Sequence, residues 1–527
     1  MGYNTYNTVF CAINQSFVRT TMQTFHDRGF LSAGYEIFGL DCGWQGADRQ
    51  ANGSIDYDES RFPDGIKPLS GFAIELGFQW GMYTDQGIYA CSTGASPPGS
   101  LNYEEQDAKQ FAGWNVAYLK VDNCWVDGKQ GAPKDPSDDF VTRYSRISNA
   151  IKAVGIEKLL ICQWGVPYIS PSKQILGPAQ WTPDLSSSFR LSDDIDKGWE
   201  NILRIMNQAI HINLRGLNGP GNWADMDLLM VGNSGMTEAE QESHFAIWAM
   251  FKSPLIVSTD VVGMSKETEK ILLNKELIAV NQDELGKPVV LVQRFSYDYD
   301  LFAGPLMGDD IAVLLVDHSN SSRELELDFS AINISCADIK NLWTGESKQE
   351  ATSYSTTVKA HGSVPLRLSK ISKTKNSTSP SFNYYEAEEG DLSGRTTVVD
   401  CSGCSGGKKV GYIGESSGDT LTIHGIQTSQ AEQDVRFDYV HCEIAFLHVA
   451  PEDAHGNVKG ASISVNDGAA QEVVFPLSGY DWGVDVAKGF KVRLSGFKTT
   501  GDNSIKISGL SKVSPYAPDI DRIGVLV

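Results

Sequence analysis

Aspartates recur at the ends of short apolar segments in the first half of the chain. Four of these segments end on one aspartate and a fifth ends on a pair, at Asp41, Asp85, Asp122, Asp260 and Asp193–Asp194. Aspartate also forms turns and caps helices, so one such aspartate is as readily explained by a structural role as by a functional one. The recurrence predicts a cluster of carboxylates, which needs donors, cations or sugar hydroxyls as partners.

Two of these acidic positions, Asp122 and the pair at 193 and 194, suggest the chemistry of glycoside hydrolysis. That reaction needs an oxygen nucleophile or activated water on one face of the sugar and an acid at the leaving oxygen. Lys120 lies two residues before Asp122, so it points to the same side of a strand and would keep Asp122 ionised. Arg190 could grip a sugar hydroxyl or hold a carboxylate. Aromatic residues near the strand ends could offer faces to sugar rings, namely Tyr3, Tyr6, Trp44, Tyr83, Trp125 and Trp164.

The elements that must position these side chains alternate between apolar runs and helical patterns up to about residue 283. The candidate strands are YEIFGLD (35–41), QWGMYTD (79–85), VAYLKVD (116–122), KLLICQW (158–164), SFRLSDD (188–194) and PLIVSTD (254–260). Helical patterns cover 106–114, 139–155 and 237–252, and the last begins with Thr237 and Glu240 as an N-cap pair. Alternation of this length predicts right-handed βαβ units in a (β/α)8 TIM barrel, whose strand ends face one mouth.

Three further segments follow the predicted barrel of residues 1–283. Residues 284–370 contain short strands without a long helix, which predicts an antiparallel β-sandwich domain. Residues 371–383 are polar and rich in Ser, Thr and Lys, which is typical of an exposed linker. Residues 384–527 are Gly-rich and strand-patterned, which predicts a β-sandwich of jelly-roll type that could fold alone. The predicted fold class is therefore α/β in the barrel, followed by two β-domains.

Composition restricts the possible partners. The 527 residues carry a formal charge of −22, which argues against nucleic acid and against an anionic membrane surface. We find no apolar run of about 18 residues, the length that spans a bilayer. A neutral substrate fits this charge, and we expect neither a nucleic-acid nor a membrane partner.

Cysteines and glycosylation sequons indicate the compartment. CSGC, the only C-x-x-C motif among nine cysteines, lies in a Gly/Ser turn without histidines, so we predict a small-loop disulfide between Cys401 and Cys404. The odd number of cysteines leaves at least one free thiol. Five N-x-S/T sequons favour a secreted, extracellular glycoprotein, at Asn14, Asn52, Asn320, Asn333 and Asn376.

Several motifs in residues 1–283 resemble the α-galactosidase (melibiase) family, glycoside hydrolase family 27. MGYNTYN is similar to the family's MGWNSWN opening, GMYTDQG to its G-I-Y-x-D-x-G motif, and YLKVDNCW to its L-K-x-D-x-C nucleophile motif. GPGNWADMDLLMVGN and HFAIWAMFKSPLIVSTD resemble later segments of the same barrel, and the β-domain behind it belongs to the same pattern. The ordered motifs cover nearly the whole predicted barrel.

The resemblance implies a retaining exo-glycosidase that acts on terminal α-D-galactosyl residues of oligosaccharides or polysaccharides. Asp122 corresponds to the nucleophile, and Asp194, four residues after Arg190, corresponds to the acid/base, with Asp193 as the neighbouring alternative. Expected substrate-binding residues are Tyr6, Asp41, Trp44, Asp85, Lys120, Gln163, Trp164 and Arg190. The family's cysteine pairs imply Cys11–Cys42 and Cys91–Cys124, and its catalysis requires no cofactor.

The chain departs from the family pattern at two places. LDCGW stands where α-galactosidases usually have IDDCW, so only Asp41 remains of two adjacent aspartates, and Gln163 replaces a glutamate in CQW. An unpaired sugar hydroxyl costs about 1–3 kcal/mol, so recognition should loosen or shift. α-Galactoside is the leading substrate, and the alternative substrate is β-L-arabinopyranoside, whose sugar lacks the hydroxymethyl group. A second alternative is that the chain is a non-catalytic sugar-binding protein.

The tail resembles carbohydrate-binding module family 35. The similar segments are YYEAEEGDLSG, GGKKVGYIG and APDIDRIGV. The resemblance implies a structural calcium bound by Glu386, Glu388 and Asp521, whose oxygen ligands suit that ion. It also makes Trp482 a candidate for a sugar-binding surface, with a place in the sandwich core as the alternative.

Overall fold

The computed structural model describes residues 1–91, 97–126, 139–295, 299–373, 381–444 and 456–526. The chain divides into two compact units. The first combines Met1–Gly198 with Leu217–Gln282, and the second combines Trp199–Gly216 with Asp283–Val527.

Eight parallel strands form the main sheet of the first unit. They are β1 Gly2–Asn4, β2 Ile37–Leu40, β3 Gln79–Asp85, β4 Val116–Asp122, β5 Lys158–Ile161, β6 Ser188–Arg190, β7 Trp223–Asp225 and β8 Ile256–Val257. Their order in the sheet is β7-β6-β5-β4-β3-β2-β1-β8. A parallel bridge between Leu229, just after β7, and Val257 in β8 joins the two ends. The predicted TIM barrel is thereby confirmed.

Helices separate the barrel strands along the chain. They are α1 Gln15–Asp27, α2 Ile66–Leu76, α3 Glu104–Gly113, α4 Phe140–Ala153, α5 Pro178–Trp181, α6 Trp199–Leu214, α7 Glu238–Met250, α8 Lys266–Leu272 and α9 Lys275–Asn281. The predicted cap of α7 is confirmed, because Thr237 N donates to Glu240 Oε2 at 2.7 Å and Glu240 N donates to Thr237 Oγ1 at 3.3 Å. None of the helices in the described residues has the length and apolar character that a bilayer crossing requires.

Strands β3 and β4 are the longest in the barrel and bring its acidic residues together. Both are buried along most of their length, as expected for strands of a parallel sheet that is covered on both faces. In their parallel register Tyr83 lies beside Lys120 and Asp85 beside Asp122. The sequence predicts the bounds of both strands correctly, because each is a long apolar run that ends on aspartate.

The second unit begins its β-structure with eight strands. They are β9 Val290–Phe295, β10 Tyr299–Pro305, β11 Ile311–Asp317, β12 Arg323–Asp328, β13 Ile334–Asn341, β14 Ser347–Ala351, β15 Ser353–Val358 and β16 Ser363–Lys373. Six form an antiparallel sheet in the order β9-β10-β11-β16-β13-β14, and β12 pairs with β15. Leu315, Leu327 and Tyr354 share one buried core, so the two sheets pack as a sandwich.

Eleven further strands complete the described part of this unit. They are β17 Phe382–Glu386, β18 Asp391–Ser393, β19 Thr397–Asp400, β20 Lys408–Gly411, β21 Thr420–Ile426, β22 Glu432–Val440, β23 Val458–Val465, β24 Gln471–Pro476, β25 Ala487–Ser495, β26 Asn503–Gly509 and β27 Asp519–Leu526. They form two sheets, β19-β20-β27-β22-β25 with β17 beside β27, and β18-β21-β26-β23-β24. Both sheets contribute to one core, which includes Phe437 and Ile505.

Helix α6 contacts both β-regions of the second unit. Asn207 donates to Gly456 O at 2.8 Å and accepts from Arg294 Nη2 at 2.8 Å, and Arg215 pairs with Asp485 at 2.8 Å. The last sandwich therefore has partners elsewhere in its unit. The first three residues of the predicted linker, 371–373, belong to β16 and residues 382–383 begin β17, whereas 374–380 lie outside the described residues.

Candidate active site

The acidic strand ends of the barrel meet around one pocket of the first unit. Six charged residues line it, and they come from four strands or the loops that follow them: Asp41, Lys120, Asp122, Arg190, Asp194 and Asp227. In a barrel the carboxyl ends of the strands face the same mouth, where catalytic residues lie. Four acids and two bases therefore share one partly enclosed space.

Asp122 ends β4 and presents one free carboxylate oxygen. Its Oδ1 accepts hydrogen bonds from Trp164 Nε1 at 3.0 Å and Asn123 N at 3.2 Å, whereas no described residue donates to Oδ2. Burial raises the pKa of Asp122 to about 6; Lys120 opposes this rise, and the nearby carboxylate of Asp194 adds to it. Asp122 is thus ionised above mildly acidic pH, with Oδ2 available for reaction.

Lys120 supplies the fixed positive charge on this side of the pocket. Its Nζ lies 3.0 Å from Asp41 Oδ2, and its side chain is only 11% exposed. Burial lowers the pKa of Lys120, but the carboxylates of Asp41 and Asp122 outweigh burial and hold that pKa well above its ordinary value. The lysine therefore stays charged and favours the ionised form of Asp122.

Asp41 is held in place by three donors. Asn4 Nδ2 donates to its Oδ2 at 2.7 Å, beside Lys120, and Cys42 N donates to its Oδ1 at 2.9 Å. The carboxylate is 1% exposed and lines the pocket. Asp41 and Lys120, two of the predicted sugar-binding residues, thus both line the pocket.

Asp194, and not Asp193, reaches the pocket. Arg190 Nη2 donates to Asp194 Oδ1 at 2.9 Å, and the Asp194 side chain is 34% exposed. Asp193 is completely buried and is absent from the pocket lining. A proton donor that meets a substrate must be accessible, so the structure favours Asp194 as the partner of Asp122.

Asp227 is a pocket residue that the sequence reasoning missed. It follows β7 by two residues, its Oδ2 lies 2.8 Å from Arg190 Nη2, and the same oxygen accepts from Ile195 N at 2.7 Å. Burial raises the pKa of Asp227, Arg190 lowers it and Asp194 raises it. The rule that revealed the other acids, an aspartate at a strand end, would have selected Asp225 and so directed attention to the loop of Asp227, had Trp223–Asp225 been recognised as a strand.

Three aromatic side chains, Tyr6, Tyr83 and Trp164, line the pocket. Burial and the nearby carboxylate of Asp194 raise the pKa of Tyr6 to about 12, so its hydroxyl is a donor at neutral pH. Trp44 is different, because it is completely buried and packs edge-on against Trp114 at 5.5 Å. The expectation that Trp44 binds substrate is not supported: packing fixes its ring in the core.

Two other predicted binding residues also lie outside the pocket lining. Asp85 is completely buried, and its Oδ2 accepts from Cys124 N at 3.0 Å; burial and then Asp122 raise the pKa of Asp85 far above its ordinary range. Gln163 bonds its own loop, donating to Val166 O at 3.1 Å and accepting from Gly165 N at 2.6 Å. Both side chains support loops at the pocket instead of presenting polar atoms to it.

Disulfides fix two of the loops that carry pocket residues. The structure contains Cys11–Cys42, Cys91–Cys124 and Cys401–Cys404, and it leaves Cys162, Cys336 and Cys442 as free thiols. The backbone of Cys124 also lies close to Gly87, because a Cβ on Gly87 would be 1.7 Å from Cys124 O. The loop after Asp122 is therefore held against the loop after β3.

The three acidic residues predicted to bind calcium lie around Ser405 and Gly406 in the second unit. Ser405 Oγ donates to Glu386 Oε1 at 2.9 Å, and Ser405 N donates to Asp521 Oδ1 at 3.0 Å. A Cβ on Gly406 would lie 3.1 Å from Glu388 Oε1. Burial raises the pKa of Asp521 to about 6.

Comparison with known proteins agrees with the pocket chemistry. The family described as alpha galactosidase A matches residues 6–283, and its C-terminal beta sandwich domain matches residues 296–368. The chain belongs to this family. Among similar proteins, "Probable alpha-galactosidase D" of Aspergillus flavus is 37% identical over 380 residues, which cover 70% of this chain and 56% of that protein. The counterpart from Aspergillus fumigatus is 30% identical over 574 residues, covering 91% and 86%.

The chain thus spans little more than half the length of the first of these relatives. Among solved structures, α-galactosidase I from Mortierella vinacea superposes with a TM-score of 0.63 at 28% identity, covering 71% of this chain and 98% of that one. An α-galactosidase from Saccharomyces cerevisiae, solved with raffinose, has a TM-score of 0.61 at 26% identity, covering 71% and 97%.

Proposed function

We propose that the chain is a retaining exo-α-galactosidase that removes terminal α-D-galactosyl residues from oligosaccharides or polysaccharides. The observation that carries this proposal is the presence of Asp122 and Asp194 in one pocket, each beside its own cation. Relatives described as α-galactosidases and a related structure with raffinose support the sugar. Melibiose, raffinose and longer galactosides are the corresponding substrate class.

The reaction proceeds by two displacements. Asp122 Oδ2 forms a bond to the anomeric carbon while the bond from that carbon to the leaving oxygen breaks and Asp194 donates its proton to that oxygen. This leaves a galactosyl ester on Asp122 and an ionised Asp194. Water then attacks the anomeric carbon, Asp194 takes its proton, and the Asp122 carboxylate leaves with the configuration retained.

Turnover of 4-nitrophenyl α-D-galactopyranoside tests the proposal. We expect the unmodified chain to hydrolyse it, and D122N to lose at least about 1000-fold in kcat, since the amide cannot form the ester. The matched control D260N changes an exposed aspartate after β8 that does not line the pocket. Retained activity in D122N would contradict the assignment.

The same assay separates the alternatives. Faster turnover of the matching β-L-arabinopyranoside would assign the arabinosidase activity instead. Sugar binding without turnover of any aryl glycoside would leave a non-catalytic binding protein. The single aspartate in LDCGW is the feature that makes the comparison of the two sugars necessary.

We further propose that residues 384–526 act as a carbohydrate-binding module similar to family 35. A groove in this sandwich presents Trp482 and Tyr412, which are 37% and 56% exposed, beside the buried lysines Lys409 and Lys459. Lys409 lies 2.8 Å from Asp519. Exposed aromatic faces next to fixed polar groups suit a sugar ring. In an affinity gel that contains galactomannan, we expect W482A to be retarded less than the unmodified protein, with unchanged hydrolysis of the aryl substrate. Equal retardation of the two proteins would refute this role.

Structural calcium in this module is also a proposal. Glu386 Oε2 and Glu388 Oε2 are buried without a hydrogen-bond partner among the described residues, which suits a cation that prefers oxygen ligands. Calcium held by these residues and Asp521 would link β17 to β27. We expect added Ca²⁺ to raise the Tm over an EDTA-treated sample and D521N to abolish the difference; an identical Tm in both conditions would refute the proposal.

We also propose that the protein acts outside the cell. Its three disulfides and the sequons at exposed Asn14, Asn52, Asn320 and Asn333 support this; Asn376 lies outside the described residues. A mass decrease on treatment with peptide N-glycosidase F would support secretion, whereas unmodified protein confined to the cytosol would contradict it.

A further inference from the structure

The carboxylate of Asp227 contacts the end of β6 and the loop that carries Asp194. Its Oδ2 lies 2.8 Å from Arg190 Nη2 and accepts from Ile195 N, the residue directly after Asp194, at 2.7 Å. Its Oδ1 accepts from Leu228 N at 2.7 Å. Asp227 therefore holds both the arginine that contacts Asp194 and the backbone that follows Asp194.

The backbone of Asp227 is fixed in an unusual conformation. Its φ is +77°, in the left-handed region that residues other than glycine rarely adopt. Asp227 N donates to Asp225 Oδ1 at 2.8 Å, and Asp227 O accepts from Trp248 Nε1 at 2.8 Å. A conformation of this kind persists only where the surroundings determine it, and such residues cluster at functional sites.

Arg190 Nη2 is shared between two carboxylates, Asp227 at 2.8 Å and Asp194 at 2.9 Å. The contact with Asp194 is a hydrogen bond, and the contact with Asp227 is an ion pair. We propose that Asp227 is a positioning residue for the acid/base: it is the permanent counter-ion of Arg190 and fixes the loop of Asp194. This inference rests on the proposed glycosidase function.

The arrangement matches the charge changes of the acid/base. While Asp194 holds its proton, Arg190 keeps its ion pair with Asp227. When Asp194 gives its proton to the leaving group, Arg190 already points an N–H at the new carboxylate. The other charged groups around Asp227 are Lys120 and Asp225.

Removing the charge of Asp227 should therefore disturb proton donation. In D227N, Arg190 would keep its ion pair with Asp194 but lose the one with Asp227, so Asp194 would lose its proton more easily. We expect the alkaline limb of the kcat/KM profile to move to lower pH by about one unit, because an arginine beside a carboxyl group lowers its pKa by about that much. Raffinose has a poor leaving group and should lose about 10- to 100-fold in kcat, whereas the nitrophenyl substrate, which needs little protonation, should lose much less.

The experiment compares D227N with D260N and D227E on both substrates across pH. D260N should match the unmodified enzyme, and D227E, which keeps the charge, should keep the alkaline limb in place. An equal loss on both substrates without a shift of the limb, or a D227N profile identical to that of D260N, would overturn the inference. If D227N does not fold, D227E decides the matter, because a shifted limb in D227E would equally refute it. Failure of the unmodified chain to hydrolyse either substrate would instead refute the proposed function.

Discussion

The hydrogen bond from Trp164 Nε1 to Asp122 Oδ1 can be removed without removing the aromatic ring. W164F keeps a ring at the pocket wall but removes the donor at 3.0 Å. Asp122 Oδ1 then keeps the hydrogen bond from Asn123 N at 3.2 Å. Because that bond favours the ionised carboxylate, its loss should raise the pKa of Asp122. The acidic limb of the pH profile should move to higher pH.

The magnitude follows from the charge on the acceptor. A hydrogen bond to a charged group contributes about 1.5–3 kcal/mol, and one pKa unit corresponds to about 1.4 kcal/mol. The pKa of Asp122, now about 6, should therefore rise to about 7–8. The ionised fraction, and with it kcat/KM, should fall about 10- to 100-fold at pH 5 and no more than about twofold at pH 8.

The assay is kcat/KM for the nitrophenyl galactoside between pH 4 and 8, for W164F and for W44F. Trp44 is the matched control, since its buried side chain does not line the pocket and its Nε1 donates to the backbone oxygen of Tyr83 at 3.0 Å. W44F should lower the Tm but leave the acidic limb in place. A loss in W164F that is equal at every pH would refute the reasoning, because it would mean that only packing had changed.

Two further predictions concern stability and the loop after β4. Burial raises the pKa of Asp225 to about 7 in the folded chain, above the ordinary 3.8, so the folded state binds this proton more tightly. Protonation of Asp225 therefore stabilises the folded state fully below pH 3.8, and this stabilisation is lost as the pH rises through 7. We expect Asp225 to make the protein about 2–3 kcal/mol less stable at pH 8 than at pH 5. Urea denaturation at both pH values should show a smaller difference in D225N. G87A should lower both Tm and kcat, because its Cβ would lie 1.7 Å from Cys124 O. The control G71A should raise the Tm, because its Cβ meets nothing within 4 Å and alanine favours a helix. Equal effects of the two substitutions would contradict the close approach of Gly87 to Cys124.

The sequence predicts the barrel because most of its strands lie within apolar segments. β1 and β7 escaped recognition because their sequences, GYN and WAD, carry few strand-favouring side chains. The loss of β7 from the prediction removed Asp227 from the predicted site. The (β/α)8 fold itself followed from the spacing of the remaining strands.

Side-chain direction is the part of the site that the sequence could not supply. Asp41, Lys120 and Arg190 reach the pocket as predicted, because they lie on or directly after strands whose faces alternate. Trp44 and Gln163 occupy loops, where distant packing decides the direction: a bond to Tyr83 O turns the indole inward, and the glutamine bonds its own turn. Such contacts join positions that no local pattern connects.

The three donors on Asp41 have a consequence for selectivity. An ionised carboxylate can accept about four hydrogen bonds, and Asn4, Lys120 and Cys42 N already take three on Asp41. One acceptor position is left for a bound sugar, so Asp41 can accept a hydrogen bond from a single hydroxyl. Discrimination between sugars that differ at any other carbon must therefore be made elsewhere around the ring.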